Sequence, residues 1–334
     1  MTHIHDSNAL RSQGYILIAE DLRKSYGLRP ALRGLSFALK AGGVLGLLGP
    51  NGAGKTTAIR LLTTILEPSS GQFFVDGISS ADPERIRRRI GVLPESQGFP
   101  RHLTGLEYLT FFGQHYGRTA SEARTYGQAL LEEAGLQQRA KSLIGTYSRG
   151  MRQRLGIARA LVNDPVVVFL DEPTLGLDPW GQQELLSLVR RIARGRNTGV
   201  VFCSHHLSEI EAICDAVVIL NSGRVVATGS VAEVIGAGRR DGIRILVPPA
   251  SVPHAQQVLA PIPNVVKVTP TGQMADWLEV ELVDPAGATS SDGHHVKNSL
   301  LEALIRADIP IRGFEAEGGR LQDVFLQLTE RTAE

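Results

Sequence analysis

The first stretch of the chain, Met1 to Gly14, is polar and lacks the apolar run of about 7–15 residues that a secretory leader carries. From Tyr15 to about residue 237, short apolar runs alternate with segments of helical period. Tyr15–Glu20, Leu35–Leu39 and Val44–Leu48 have the apolar character of strands. The last of them enters a glycine-rich turn, Gly49 to Gly54, and the pattern predicts a helix from Lys55 to about Ile65. Val166–Leu170 is continuously apolar behind Asp164-Pro165, as a strand buried on both faces would be, and Gly199–Cys203 is another such run. A helical period holds from about Leu103 to Ala160. These elements predict an α/β core, residues 15–237, with a helical subdomain inserted at about 98–160. Residues 1–14 are expected to form a disordered tail.

A break is expected at Gly236-Ala237-Gly238-Arg239-Arg240-Asp241-Gly242. Beyond it the pattern restarts as a separate domain, 243–334. It predicts a strand near Ile243–Val247, a helix near His254–Leu259, and strands near Val265–Val268 and Trp277–Val283. A polar loop over Asp284–His295 follows, then a helix near Val296–Arg306, a strand near Ile311–Glu315 and a helix near Leu321–Leu328. The order βαββαβ is that of a small split-βαβ α+β domain with an added helix.

Composition narrows the function. Among 334 residues, 35 basic side chains face 34 acidic ones, for a net charge of +1. No overall field draws such a chain to nucleic acid, so no nucleic-acid partner is expected. No apolar stretch approaches the ~18 residues of a membrane span. The two cysteines, Cys203 and Cys214, stand singly in apolar surroundings, which fits core thiols in a reducing, cytosolic compartment. The run Arg85-Ile86-Arg87-Arg88-Arg89 reads as a solvated basic face, or as a contact to a membrane protein or lipid head groups. His205-His206 and His294-His295 have no Cys or carboxylate at metal-ligand spacing.

Two motifs carry chemistry. Gly49-Pro50-Asn51-Gly52-Ala53-Gly54-Lys55-Thr56, followed by Thr57, fits the phosphate-binding P-loop. Its glycines let backbone N–H groups turn toward phosphate oxygens, and the following helix adds its positive N-terminal end. Lys55 would reach the β- and γ-phosphates and the Thr56 hydroxyl would bind Mg²⁺. The apolar strand at Val166–Leu170 ends in Asp171-Glu172, at the sheet edge where open α/β sheets hold ligands. Asp171 would hold Mg²⁺, and Glu172 would act as general base toward the attacking water.

Tyr147-Ser148-Arg149-Gly150-Met151-Arg152-Gln153-Arg154, just before that strand, resembles the signature motif of ABC ATPases. Leu175-Gly176-Leu177-Asp178 resembles their D-loop, His205 stands at the switch-histidine position, and Tyr26 matches the aromatic residue that stacks on adenine. The resemblance covers about Tyr15 to Gly236. It implies a P-loop NTPase core that binds and hydrolyses ATP with Mg²⁺, with Glu172 and His205 catalytic. Ser148, Arg149, Gly150 and Met151 would meet the ATP held by a partner subunit, so that a head-to-tail homodimer, or a dimer with a related ATPase, completes two sites. The signature segment precedes a helical run expected from near Arg152. The family implies a permease on a separate chain and a place on the cytoplasmic face of the membrane. A soluble ABC-type ATPase acting on ribosomes or DNA is the alternative.

Two positions depart from the usual pattern. Glu95 stands where most members carry Gln, as an ATP-site residue and Mg²⁺ ligand, and Gln97 could partly substitute. The signature reads Ser-Arg-Gly-Met, in which Arg149 either adds charge near the phosphates or faces solvent. Both departures resemble the exporter branch that moves drugs, lipids, polysaccharides or sodium.

Overall fold

The computed structural model describes residues 13–237, 242–271, 277–282, 290–316, 321–322 and 324–325. All but the last two residues of the expected N-terminal tail lie outside them. The chain divides into two compact units, Met1–Val231 and Ala232–Glu334.

The first unit begins with β1 (Tyr15–Tyr26), β2 (Arg29–Lys40), β3 (Val44–Leu48) and α1 (Lys55–Leu62). Next come β4 (Ser70–Val75), β5 (Ile78–Ser79), α2 (Pro83–Arg87) and β6 (Ile90–Leu93). The helical insertion holds α3 (Gly105–His115), α4 (Ala120–Glu133) and α5 (Arg149–Ala160). The unit continues through β7 (Val167–Asp171), α6 (Pro179–Arg196), β8 (Gly199–Ser204), α7 (Leu207–Ile213), β9 (Ala216–Asn221) and β10 (Arg224–Ser230).

β1 outruns the expected Tyr15–Glu20 because its alternation slips. Asp21 takes φ +45° and the register to β2 shifts between Ala19 and Leu22, so the polar second half still pairs. α1 stops at Leu62, short of Ile65. The Thr63 hydroxyl donates back to the Ile59 carbonyl at 2.7 Å, and Thr64 turns to φ +61°.

Two sheets enclose the core. One is antiparallel, ordered β2-β1-β4-β5; the other is ordered β10-β9-β3-β8-β7-β6. In the second, β9, β3, β8, β7 and β6 run parallel and only β10 is antiparallel. β3, β7 and β8 are buried at every position, in keeping with their apolar runs, which end in the buried polar residues Asp171 and Ser204 in β7 and β8. Leu17, Phe37, Phe73, Leu45, Phe169 and Val201 join the two sheets in one cluster with α1.

The inserted helices start on strong local signals. Thr104 with Glu107 and Thr119 with Glu122 form capping boxes at α3 and α4. α5 begins at Arg149, earlier than the expected Arg152, because Ser148 caps it: its hydroxyl accepts from the Met151 N–H at 3.2 Å. Arg196, at the end of α6, donates to both carboxylate oxygens of Glu133 at 3.0 Å and so pins α4 to the core. Three arginines of the basic run have partners within the chain. Arg87 donates to the Thr64 hydroxyl at 2.8 Å, Arg89 pairs with Asp76, and Arg85 with Asp82 at 3.5 Å.

A helix, α8 (Val231–Ala237), occupies the start of the expected break, so Gly236 and Ala237 end a helix instead of opening a linker. The second unit then forms β11 (Gly242–Leu246), α9 (Val252–Leu259), β12 (Val265–Thr271), β13 (Trp277–Leu282), α10 (Ser290–Arg306) and β14 (Gly313–Ala316). Its antiparallel sheet is ordered β12-β13-β11-β14, the split-βαβ arrangement. Ile243, Ile245, Leu278 and Val280 bury against Ala255, Leu259, Leu300 and Leu304. The loop expected over Asp284–His295 is helical from Ser290 onward. Ser290-Ser291-Asp292 is a helix-start sequence, which the polar character of the stretch hid. Of the final expected helix, residues 321, 322, 324 and 325 are helical and the rest lie outside the described residues.

Candidate nucleotide site

Because β3, β8, β7 and β6 run parallel, the segments that follow them all emerge at one edge of the sheet. Those segments carry the P-loop, His205, Asp171-Glu172 and Glu95, respectively. They enclose a cavity of ≈ 390 Å³ lined by Ala31, Pro50 to Thr57, Glu95, Asp171, Glu172, Leu175 and His205.

The P-loop closes tightly. Gly54 takes φ +105°, and a side chain there would come within 2.7 Å of the Ala31 carbonyl. The turn delivers Lys55 as the first residue of α1. Its ammonium is buried and donates to the Gly49 carbonyl at 2.6 Å and the Pro50 carbonyl at 3.2 Å. Thr56 is exposed in the same first turn.

Asp171 ends β7, 8% exposed. Burial raises the pKa of its carboxyl group above the ordinary value; a bond from Cys203 opposes this, and the charges of Glu95 and Glu172 reinforce it. Burial, then the charge of Asp171, pushes the Cys203 thiol well above its usual range. Glu172 follows in a left-handed conformation, φ +47°, with its N–H bonded to the Cys203 carbonyl at 3.0 Å. One of its carboxylate oxygens lies 2.8 Å from Nδ1 of His205.

Other expected residues lie elsewhere. Tyr26 is half exposed and does not line the cavity; Lys24 stands 5.8 Å from the centre of its ring. Gly49 and Ser148 to Met151 are also absent from the lining, as is Asp178, which caps α6 by accepting from the Gly181 N–H at 2.9 Å. Arg149 is exposed, as one of its two anticipated positions requires, and its guanidinium lies over Gly176, where a methyl group would come within 2.5 Å of it. Gln97, the other candidate for the usual glutamine's place, does not line the cavity. It donates to Gln153 on α5, and only Glu95 lines the cavity.

Three residues escaped the motif reading. Glu209 on α7 accepts hydrogen bonds from Thr174 at 2.9 Å and Ser204 at 2.7 Å, all three buried. Hydroxyl-to-carboxylate links across 35 and five positions follow no sequence period. The one available signal was an acid in the otherwise apolar buried face of α7.

Comparison with known proteins gives the family. The chain is 32% identical over 320 residues to a linearmycin resistance ATP-binding protein of Bacillus subtilis, covering 95% of this chain and 99% of that one. The chain belongs to the ABC transporter ATP-binding family. As a member of that family it is an ATPase. Residues 32–175 match the ABC transporter domain. A daunorubicin resistance ATP-binding protein of Streptomyces coeruleorubidus is 33% identical over 314 residues, 94% of this chain and 95% of that one. The solved structure of an ATP-binding subunit of an ABC transporter superposes with a TM-score of 0.59 at 32% identity, over 66% of this chain and 92% of that one. The P-loop NTPase fold of this ABC ATPase is therefore shared with a solved member, and in its described residues no helix is long and apolar enough to cross a membrane.

Proposed function

We propose that this ABC ATPase is the motor of a drug or antibiotic exporter. It would work as a head-to-tail dimer on the cytoplasmic face of the membrane, beneath a permease on a separate chain. The substrate class rests on the resistance functions named for the two relatives above. One observation carries the dimer: the cavity gathers the P-loop, Asp171, Glu172 and His205 but none of Ser148 to Met151. A phosphate in this cavity has a base and a cradle and lacks the signature segment. That segment, capped by Ser148 at a helix N-terminus, presents an anion-favouring end to a nucleotide held by another copy. Residues 243–334 would be an accessory domain of the same subunit.

Within each site, Glu172 takes the proton of the attacking water, and His205, bonded to it, holds its carboxylate in place. Lys55 exchanges its two carbonyl acceptors for β- and γ-phosphate oxygens. Mg²⁺ fits the residues present. Asp171 is a buried carboxyl whose charge is disfavoured without a cation, Glu95 and the Thr56 hydroxyl line the same cavity, and oxygen donors suit the ion. When bound, it would neutralise charge on the phosphate oxygens.

The Asp171 assignment makes a stability prediction. A carboxyl whose folded pKa is raised favours folding below its unfolded pKa and loses that contribution as pH rises through the folded value. Asp171→Asn should therefore raise the melting temperature of the nucleotide-free, chelator-treated protein near pH 7.5. The gain should shrink on acidification. With Mg²⁺ and ATP the order should reverse, and a variant that melts with the wild type under all conditions would remove Asp171 from ion binding.

Tyr26 is assigned to adenine. Tyr26→Ala should weaken ATP binding by about 1–3 kcal/mol in calorimetry, the worth of one base stacking on an aromatic ring. Unchanged affinity would place the adenine platform on another residue.

Affinity purification of the native protein from detergent-solubilised membranes tests the transporter assignment as a whole. A polytopic membrane chain should co-purify and stimulate ATP turnover. Recovery with ribosomes instead, and no membrane chain, would overturn it.

A further inference from the structure

Glu209 joins the two loops that carry Glu172 and His205. It sits in the first turn of α7, 5% exposed, and a single carboxylate oxygen takes both hydroxyl bonds, from Thr174 and from Ser204. Thr174 lies two residues beyond Glu172, and Ser204 immediately precedes His205. Both are fully buried. The Ser204 oxygen also accepts from the N–H of His206 at 3.0 Å, so the clamp fixes the backbone on both sides of His205. The other Glu209 oxygen is buried and has no hydrogen-bond partner among the described residues.

We propose that Glu209 is a positioning residue that sets the spacing of Glu172 and His205; the proposal rests on the catalytic roles given to those two side chains above. A buried acid with one unbonded oxygen is a costly way to fill a core position that an apolar side chain could occupy. Its value lies in what the bonded oxygen holds. β7 and β8 are tied to each other through their ladder only as far as Asp171 and Cys203. Beyond that point Glu172 is in a left-handed conformation, kept there on one side by its N–H bond to Cys203. The Thr174 bond restrains the chain on the other side. On the β8 strand the Ser204 bond does the same for the residue before His205. The 2.8 Å approach of the Glu172 carboxylate to the His205 ring is therefore the gap between two loops hung from one carboxylate.

A cycle of variants tests this, read as kcat and KM for ATP. Glu209→Ala should lower kcat by about 10–100-fold, the range expected when a catalytic group is misplaced by an ångström or less, with KM for ATP little changed. Glu209→Gln keeps an oxygen acceptor and should restore kcat to within about threefold of wild type. In a His205→Ala background, where the pairing no longer exists, Glu209→Ala should cost less than about threefold, because coupled residues are not additive. Ser204→Ala and Thr174→Val each remove one donor and should show the same background dependence, which keeps the test open if Glu209→Ala does not fold. An equal loss in both backgrounds, or a normal kcat in Glu209→Ala, overturns the positioning role. Glu172→Gln in the same assay separates the two readings. Lost turnover there beside a normal Glu209→Ala overturns only the role of Glu209. Unchanged turnover in Glu172→Gln overturns the base assignment and the positioning role with it.

Discussion

Glu172→Gln should bind ATP as the wild type does and lose turnover by about 10²–10⁴-fold, the usual contribution of a general base. The reason is local. The amide fills the same space in the left-handed turn after β7 and still reaches His205, and Lys55 and Thr56 are untouched. Only the acceptor for the water proton is removed. Binding measured by calorimetry and turnover by phosphate release should therefore separate. A variant that hydrolyses ATP at near-normal rate would take Glu172 out of the role, and the His205 contact would then need another purpose. The same variant should accumulate as an ATP-bound dimer. Light scattering should show a doubled mass with ATP and the monomer mass with ADP.

An equimolar mixture of Lys55→Ala and Ser148→Arg subunits should recover activity that neither parent homodimer has. Lys55 lies in the cavity and Ser148 caps a helix outside it, so the two substitutions damage opposite halves of a composite site. In the mixed dimer one interface carries both defects and the other carries neither. The parents should be down by at least about 10²-fold, since each loses a charged or geometric contact to the transferring phosphate. The mixture should regain up to a quarter of wild-type turnover, because half the dimers are mixed and each has one intact site of two. No recovery, together with a Glu172→Gln protein that stays monomeric with ATP, would sink the shared site.

The parts of this molecule that could be read from its sequence are those governed by local rules. Val44–Leu48 and Val167–Leu170 are strand because they are buried on both faces and carry no polar side chain. The order of elements in the second unit was legible because period-two and period-3.6 patterns alternate along it. What stayed hidden depends on contacts between distant positions. The second half of β1 was masked by a bulge that breaks alternation at Asp21. β4, preceded by Ser69 and opening on Ser70-Gly71-Gln72, offers little apolar signal and is held by pairing with β1. Asp178-Pro179 is a helix-start signal, with Asp178 as the cap and Pro179 as the first helical residue, inside the segment that resembles the D-loop. For the candidate site, the motifs located its residues, and the parallel sheet supplies the reason they share one edge. The resting place of Arg149 on Gly176 and the bond between Gln97 and Gln153 depend on how α5 lies against the core, which no window of sequence encodes.

The two carbonyl bonds of Lys55 bear on how the catalytic cycle ends. An ammonium already bonded to Gly49 and Pro50 has its charge largely accommodated before a nucleotide arrives. Under the role proposed for Lys55, phosphate binding would be a swap of acceptors, and its yield would be the difference between two sets of hydrogen bonds rather than the full strength of one. The same swap would run backward once the γ-phosphate has left. If Lys55 binds phosphate as proposed, its own loop offers it acceptors to return to, and a departing product would leave no buried cation stranded.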